Sequence, residues 1–392
     1  MTDPKYRARV TSIVRGIDRC RTVIETSAGL VGLTHFRNLA WNGETLERRD
    51  KPEPQEGFDD FAAYRAFLTA SFAGLGSNLD DPARRFPLGF LGTLSSGFDA
   101  NAATALASEA GCQRAICFET TGSGHPDSGV PVARALGIEP IVTRRDSWRD
   151  VEPLDGGTEV PFLASGGGSG VIEFHGAREH LRGSLLVTGF YGDSIWNPEW
   201  GDLGPYIVRK DASGLGLSEY RLHAGFANCA PAFWAARQVA DIAEIGRSDE
   251  MAPWRLGHSY DRPIPRRILE EAGVPRRAFG TVKRAMPKAQ PHRDRRFLTP
   301  EAKRDYFEWL RDNRSRLELP PVISPLVDRG QFELRGLRLR THVAIGGIGK
   351  IRRTAWWQER RKELKRRRRR PTRLRAYAVG WALDCGKRRY EH

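Results

Sequence analysis

Leu91-Gly-Thr-Leu-Ser-Ser-Gly-Phe-Asp-Ala100, continued by Asn101-Ala-Ala-Thr-Ala-Leu-Ala-Ser-Glu-Ala-Gly111, is the stretch from which the fold is read. An apolar strand over 88–94 runs into two hydroxyl residues, a glycine and an acid, then into an alanine-rich helix over 100–110. Such a turn makes an anion cradle. Backbone N–H groups at a helix start lack intrahelical partners, and the helix dipole adds about half a positive charge there. Ser95 and Ser96 supply hydroxyl donors, and Asp99 is placed to hold a cation that offsets phosphate charge. It is not the Walker version, since no G-x-x-x-x-G-K-[ST] occurs in the chain.

Outward from that turn, strands near 88–94, 114–119, 139–143 and 184–188 alternate with helices near 100–110 and 128–137. The alternation predicts an α/β fold, a parallel sheet with helices on both faces and ligands at the carboxyl ends of its strands. Residues 1–20 read as a short basic helix or arm. Three alternating runs (22–26, 30–36 and 39–46), with turn residues at Ser27-Ala28-Gly29 and Asn42-Gly43, predict a small β-meander. A linker over 49–57 then leads to an amphipathic helix at about 59–80, with Phe61, Tyr64, Phe67, Leu68, Phe72 and Leu75 at helical spacing. Residues 220–310 read as mostly helical, as do the stretch around Trp356 and Trp357 and the run from Tyr377. Three regions are expected: an arm and meander over 1–57, an α/β domain over 58–310, and a helical, strongly basic extension over 311–392.

The net charge of +15 is unevenly placed. From Lys350 onward, 17 Lys and Arg face 4 acids, leaving the rest of the chain at only +2. That is the balance of a neutral enzyme with a basic tail, not of a uniformly basic nucleic-acid binder. The run 360–370 suits a solvated helix face, a phosphodiester backbone or another anionic surface, and 350–375 is the expected contact region. The five cysteines include no C-x-x-C, so zinc and redox chemistry have no support and buried free thiols are expected. There is no H-E-x-x-H. No run approaches the roughly 20 apolar residues a membrane helix needs, and the first residues lack the apolar core of a signal peptide. A cytoplasmic location is expected.

Ser95-Ser-Gly-Phe-Asp-Ala100 resembles the S-G-G-x-D-S pyrophosphate loop of N-type ATP pyrophosphatases, in particular the synthetase domain of asparagine synthetases and β-lactam synthetases. Three further segments follow in the family's order. Phe118-Glu-Thr-Thr-Gly-Ser-Gly-His-Pro-Asp127, with 128–137, resembles the second strand and the acid opening the second helix. Leu185-Leu-Val-Thr-Gly-Phe-Tyr-Gly-Asp-Ser194 resembles the L-L-S-G-E-G-G-D-E turn, with Thr188, Gly189, Gly192 and Asp193 on matching positions. Residues 260–275 and 279–284 resemble the late K-x-x-L-R-x-A…R-x-K segment.

The resemblance implies an ATP pyrophosphatase (HUP-like) fold and an ATP-dependent, AMP-forming ligase. A carboxylate would be activated as an acyl-adenylate and captured by an amine. It implies that Ser95, Ser96 and Gly97 bind pyrophosphate, with Gly189 and Gly192 lining the nucleotide, and that Asp99 and Asp193 hold Mg²⁺. It further implies that ATP's adenine and ribose lie between Phe118 and Asp127, and that Lys283, assisted by Arg266 and Arg267, neutralises phosphate and the tetrahedral intermediate. Thr2 stands where a glutaminase domain has its cysteine nucleophile, so nitrogen is expected from ammonia or directly from an amine. The chain also departs from the pattern at Ser96, Ala100, Phe190 and Ser194; the last two replace glutamates suited to removing an amine proton. An RNA-modifying pyrophosphatase and a non-catalytic nucleotide-binding relative stay open as alternatives. Ser165-Gly-Gly-Gly-Ser-Gly170 is open between a flexible loop, an anion wrap and a lid.

Overall fold

The computed structural model describes residues 20–26, 29–35, 37–52, 57–120, 124–165, 169–199, 201, 204, 217–257, 260–280, 297–346, 354–369 and 374–387. Residues 1–19 of the expected N-terminal arm, residues 166–168 of the glycine run and Lys283 lie outside them. The chain divides into two compact units, one from 8–152 and 173–287, the other chiefly from 153–172 and 288–392.

The first unit begins with two antiparallel hairpins. β1 (Val23–Thr26) pairs with β2 (Gly29–Gly32), and β3 (Arg37–Trp41) with β4 (Leu46–Asp50). Asn42 shapes the second turn, its Oδ1 accepting from the amides of Glu44 and Thr45 at 2.9 and 2.8 Å. The expected meander is therefore corrected to two separate two-stranded sheets. The third expected run, 39–46, contains a turn, so that Arg37–Trp41 pairs with Leu46–Asp50; the charged Arg49 and Asp50 read as linker, but a ladder needs only backbone groups. Helix α1 (Phe61–Leu79) starts at Asp60, whose side chain accepts from the Ala63 amide at 2.8 Å. Its face of Phe61, Tyr64, Leu68 and Phe72 is buried, and Trp196 Nε1 donates to the Tyr64 hydroxyl at 2.8 Å.

The central sheet uses β5 (Gly89–Leu94), β6 (Arg114–Phe118), β7 (Glu139–Thr143), β8 (Ser184–Val187) and β9 (Ala227–Cys229). All are parallel, in the order β7-β6-β5-β8-β9, and helices flank the sheet. The chain steps outward from β5 to β7, then returns to the other side of β5 for β8 and β9. The order reverses between β5 and β8, where an open parallel sheet leaves a crevice beyond its carboxyl ends.

Helix α2 (Asp99–Glu109) lies close on β5 because Gly92 has no side chain; a Cβ there would sit 2.4 Å from Thr104 Cγ2. The contact is sealed by polar bonds. Thr104 Oγ1 accepts from the Thr93 amide at 3.1 Å and donates to the Thr93 carbonyl at 2.9 Å. Helix α3 (Val130–Ala135) follows β6, with Gly129 pressed on the backbone of Leu94.

In the second unit the longer helices span Pro300–Asp312, Pro325–Gly346, Ala355–Arg369 and Ala378–Lys387. Polar side chains tie them together. Trp381 Nε1 donates to Asp305 at 2.7 Å, and Trp309 Nε1 to Asp384 at 2.9 Å. Buried Trp357 stacks on His342 with ring centroids 5.0 Å apart. No helix among the described residues is long and apolar enough to cross a membrane. All five cysteines are free; burial pushes the thiols of Cys112 and Cys117 up to about 11, so these two pack as neutral groups.

Candidate functional site

The loop leaving β5 is shaped by its own helix. Asn101, fully buried in the first turn of α2, accepts from the Ser95 amide at 2.9 Å. Its Nδ2 donates to the carbonyls of Ser95 and Gly97, each at 2.8 Å. Ser95 Oγ accepts from the Gly97 amide at 3.1 Å. These bonds curve the loop and leave Ser95, Ser96, Gly97 and Asp99 half-buried at its rim. The N-cap of α2 is Phe98, which has no capping oxygen, so no side chain at that position offsets the positive end of the helix dipole.

Across the switch point, the turn after β8 fits against that helix start. A Cβ on Gly189 would lie 2.2 Å from the Ala100 nitrogen, and one on Gly192 would lie 2.6 Å from Asp99 Cβ. Both glycines are thus required by the approach of Asp99 and Ala100 rather than by open space for a ligand. Between them Tyr191 adopts a left-handed φ of 73°, uncommon for a bulky residue, with its ring packed on Phe190 and Phe233. Asp193 follows on the same turn and is exposed. Gly189→Ala is expected to destabilise the protein by about 2–3 kcal/mol, since a backbone atom cannot yield to the added methyl. Chemical denaturation checks this, and an unchanged midpoint would contradict the packing.

Tyr260 marks where the carboxylates converge. Its hydroxyl lies 4.0 Å from the position a Gly97 Cβ would take, and its ring is 4.8 Å from that of Phe98. Burial, then the neighbouring carboxylates of Asp99, Asp127 and Asp193, push the phenol well above its ordinary value. Asp99 and Asp193 are therefore brought to one region. Among the described residues no group of three His, Cys, Asp or Glu side chains forms a metal cluster. Mg²⁺ commonly uses one or two carboxylates and completes its shell with phosphate oxygens and water, so the pair suits that ion.

A second acidic arm reaches the loop from behind. Asp127 Oδ1 accepts from both the amide and the hydroxyl of Ser96, at 3.2 and 2.6 Å. Asp127 Oδ2 accepts from Arg145 Nη2 at 3.1 Å, and Arg145 also donates to Glu173 and to the Thr120 carbonyl. All three charged side chains are largely buried. Burial pushes the Glu173 carboxyl up to about 7, partly offset by the Arg145 guanidinium. Phe118 is buried beneath that guanidinium, whose carbon is 4.7 Å from the ring centroid, and against Phe174.

The two arginines of the late segment diverge. Arg267 is bound to Glu271 and Glu250, at 2.7 and 3.0 Å, and covers Phe61 and Trp254. It is not brought to the loop. Arg266 is, with its guanidinium 4.9 Å from the Phe98 ring centroid and 5.7 Å from that of Phe279. Its Nε and Nη2 are buried with no hydrogen-bond partner among the described residues, and burial lowers its pKa. Gly280 carries this segment onto the loop itself, its amide donating to the Ser96 carbonyl at 2.9 Å. Lys283 lies three positions further on, outside the described residues. Because the buried Arg266 guanidinium has two nitrogens without a hydrogen bond, Arg266→Met is expected to leave the protein as stable or to raise its stability by about 1–3 kcal/mol. A clear loss of stability in chemical denaturation would show that the charge is paired.

Asn101, Tyr260, Arg145 and Glu173 had no role in the sequence reading. Tyr260 opens a segment already singled out and Asn101 directly follows the loop. Arg145 and Glu173 carry no sequence signal, since their meeting is set by the turns beyond β6 and β7. No protein-family model matches the chain, and no curated protein matches it at a significant level.

Proposed function

We propose that this protein is an ATP-dependent, AMP-forming ligase of the asparagine synthetase and β-lactam synthetase type, activating a carboxylic acid for amide formation. One observation carries this: the reversal of strand order between β5 and β8 sets the Ser95–Gly97 loop and the start of α2 beside the turn that bears Asp193, with Asp99 pressed against Gly192. Anion donors and two carboxylates meet where parallel sheets bind ligands.

In the proposed activation step a carboxylate oxygen bonds to the α-phosphorus of ATP, the α–β phosphoanhydride bond breaks, and the electron pair leaves with pyrophosphate. The Ser95 hydroxyl would offer a hydrogen bond to that leaving group, the Ser96 donors would join it once Asp127 is displaced and the Gly97 amide once Ser95 Oγ turns away, and the α2 dipole favours its charge. Mg²⁺, when bound, neutralises phosphate charge; Asp99 and Asp193 are the residues that would hold it. Arg266, behind Phe98, adds positive potential. Gly189 and Gly192 act by letting Asp99 reach its place. Phe190 and Ser194 stand where the family's glutamates would take an amine proton, so the reading extends to activation and leaves the second step unassigned.

ATP–pyrophosphate exchange across a panel of carboxylic acids tests the proposal. Acid-dependent exchange supports it; tight ATP binding with no exchange for any acid would favour a non-catalytic relative. A second reading, nucleic acid or another anionic surface at 350–375, is favoured by the exposed cations Arg360, Lys362, Lys365, Arg366 and Arg367 on Ala355–Arg369. Salt-sensitive RNA retention that survives removal of 350–392 would contradict it.

A further inference from the structure

Ser96 offers two donors, its amide and its hydroxyl, and both end on one oxygen of Asp127. A carboxylate oxygen that accepts from a backbone amide and a hydroxyl together is bound as a phosphate oxygen would be. It is also held firmly. Arg145 grips the other oxygen, and Arg145 is fixed in turn by Glu173, the Thr120 carbonyl and the face of Phe118. This cluster sets two carboxylates about one guanidinium, and it turns net negative as the pH rises through about 7 and Glu173 ionises.

We infer that Asp127 is a specificity-determining residue of the loop, a built-in anion that competes with incoming phosphate oxygens for the donors of Ser96, and that Arg145 is the positioning residue that holds it there. Resting on the pyrophosphate reading above, this assigns the loop a substrate class: phosphates whose charge a divalent cation has already offset. A bare polyanion meets Asp127 as well as Asp99 and Asp193. A cation-bound one meets far less repulsion and can displace Asp127 Oδ1 from Ser96.

The test is calorimetric titration of inorganic pyrophosphate, with Mg²⁺ and in chelator, into the full chain and its Asp127→Asn and Asp127→Ala variants, with circular dichroism confirming that each is folded. The expected result is a gain of about tenfold in affinity for both variants in chelator, a smaller gain with Mg²⁺, and so a weaker dependence on Mg²⁺ than the natural chain shows. A purely structural Asp127 would lower affinity or leave it unchanged in both conditions. Equal or weaker binding by the variants, while Ser95→Ala weakens binding by the natural chain, would overturn this inference and leave the pyrophosphate reading standing. Absence of pyrophosphate binding by any folded form would overturn both.

Discussion

Arg145→Ala is expected to lower the free energy of unfolding by about 3–5 kcal/mol, because it strips the guanidinium from between two buried carboxylates, Asp127 and Glu173. The effect should exceed that of any surface arginine here, such as Arg304 in its exposed pair with Glu301. Glu173→Gln in the same background should recover part of the loss by removing one of the stranded charges. Urea denaturation of the single and double variants decides; a loss below about 1 kcal/mol for Arg145→Ala would show that the pair is open to water. The pH dependence has a definite sign. The Glu173 carboxyl titrates near 7 in the folded protein against 4.5 for an ordinary glutamate. A raised carboxyl pKa contributes stability that is complete below about 4.5 and lost as the pH rises through 7. The contribution of this group therefore falls by about 3 kcal/mol between pH 4.5 and 8. Glu173→Gln should flatten that part of the stability curve, and an identical slope in the variant would show that Glu173 is solvated.

Asp99→Ala is expected to reduce acid-dependent ATP–pyrophosphate exchange by about a thousandfold while leaving the fold in place. The activity loss follows from removing a carboxylate placed to hold the cation beside the leaving group, where preorganised charge has its largest effect on rate. The stability loss should be small, since at the N-terminus of α2 the side chain contributes chiefly its interaction with the helix dipole, about 0.3–1 kcal/mol. Asp193→Ala should behave alike, and its exposure makes its structural contribution smaller still. Exchange that survives Asp99→Ala would remove the site assignment. Exchange lost together with the fold would instead assign Asp99 to packing against Gly192.

Much of the architecture was legible in sequence. Four of the five strands of the parallel sheet and the helices after the first two strands fall within two residues of their predicted positions, because apolar runs and turn residues are local signals. β9 escaped notice at three residues, too short to show a period. β4 escaped because its outward side chains are charged. Arg266 and Arg267 illustrate a different limit. Neighbours on a helix point about 100° apart, so only one of them can face the loop, and the sequence does not say which.

The sequence by itself determined a strand, turn and helix over 89–109, because an apolar run, two hydroxyls and a glycine before an alanine-rich run are local signals. It also determined where along the chain four of the five sheet strands lie. Only the tertiary structure decided that Asp99 and Asp193, 94 positions apart, face the same tyrosine, and that Asp127 rather than open space meets the donors of Ser96. The physical reason is that strand order is set by pairing and helix packing across the whole sheet. No local stretch encodes it, and the charge balance of the crevice follows from that order.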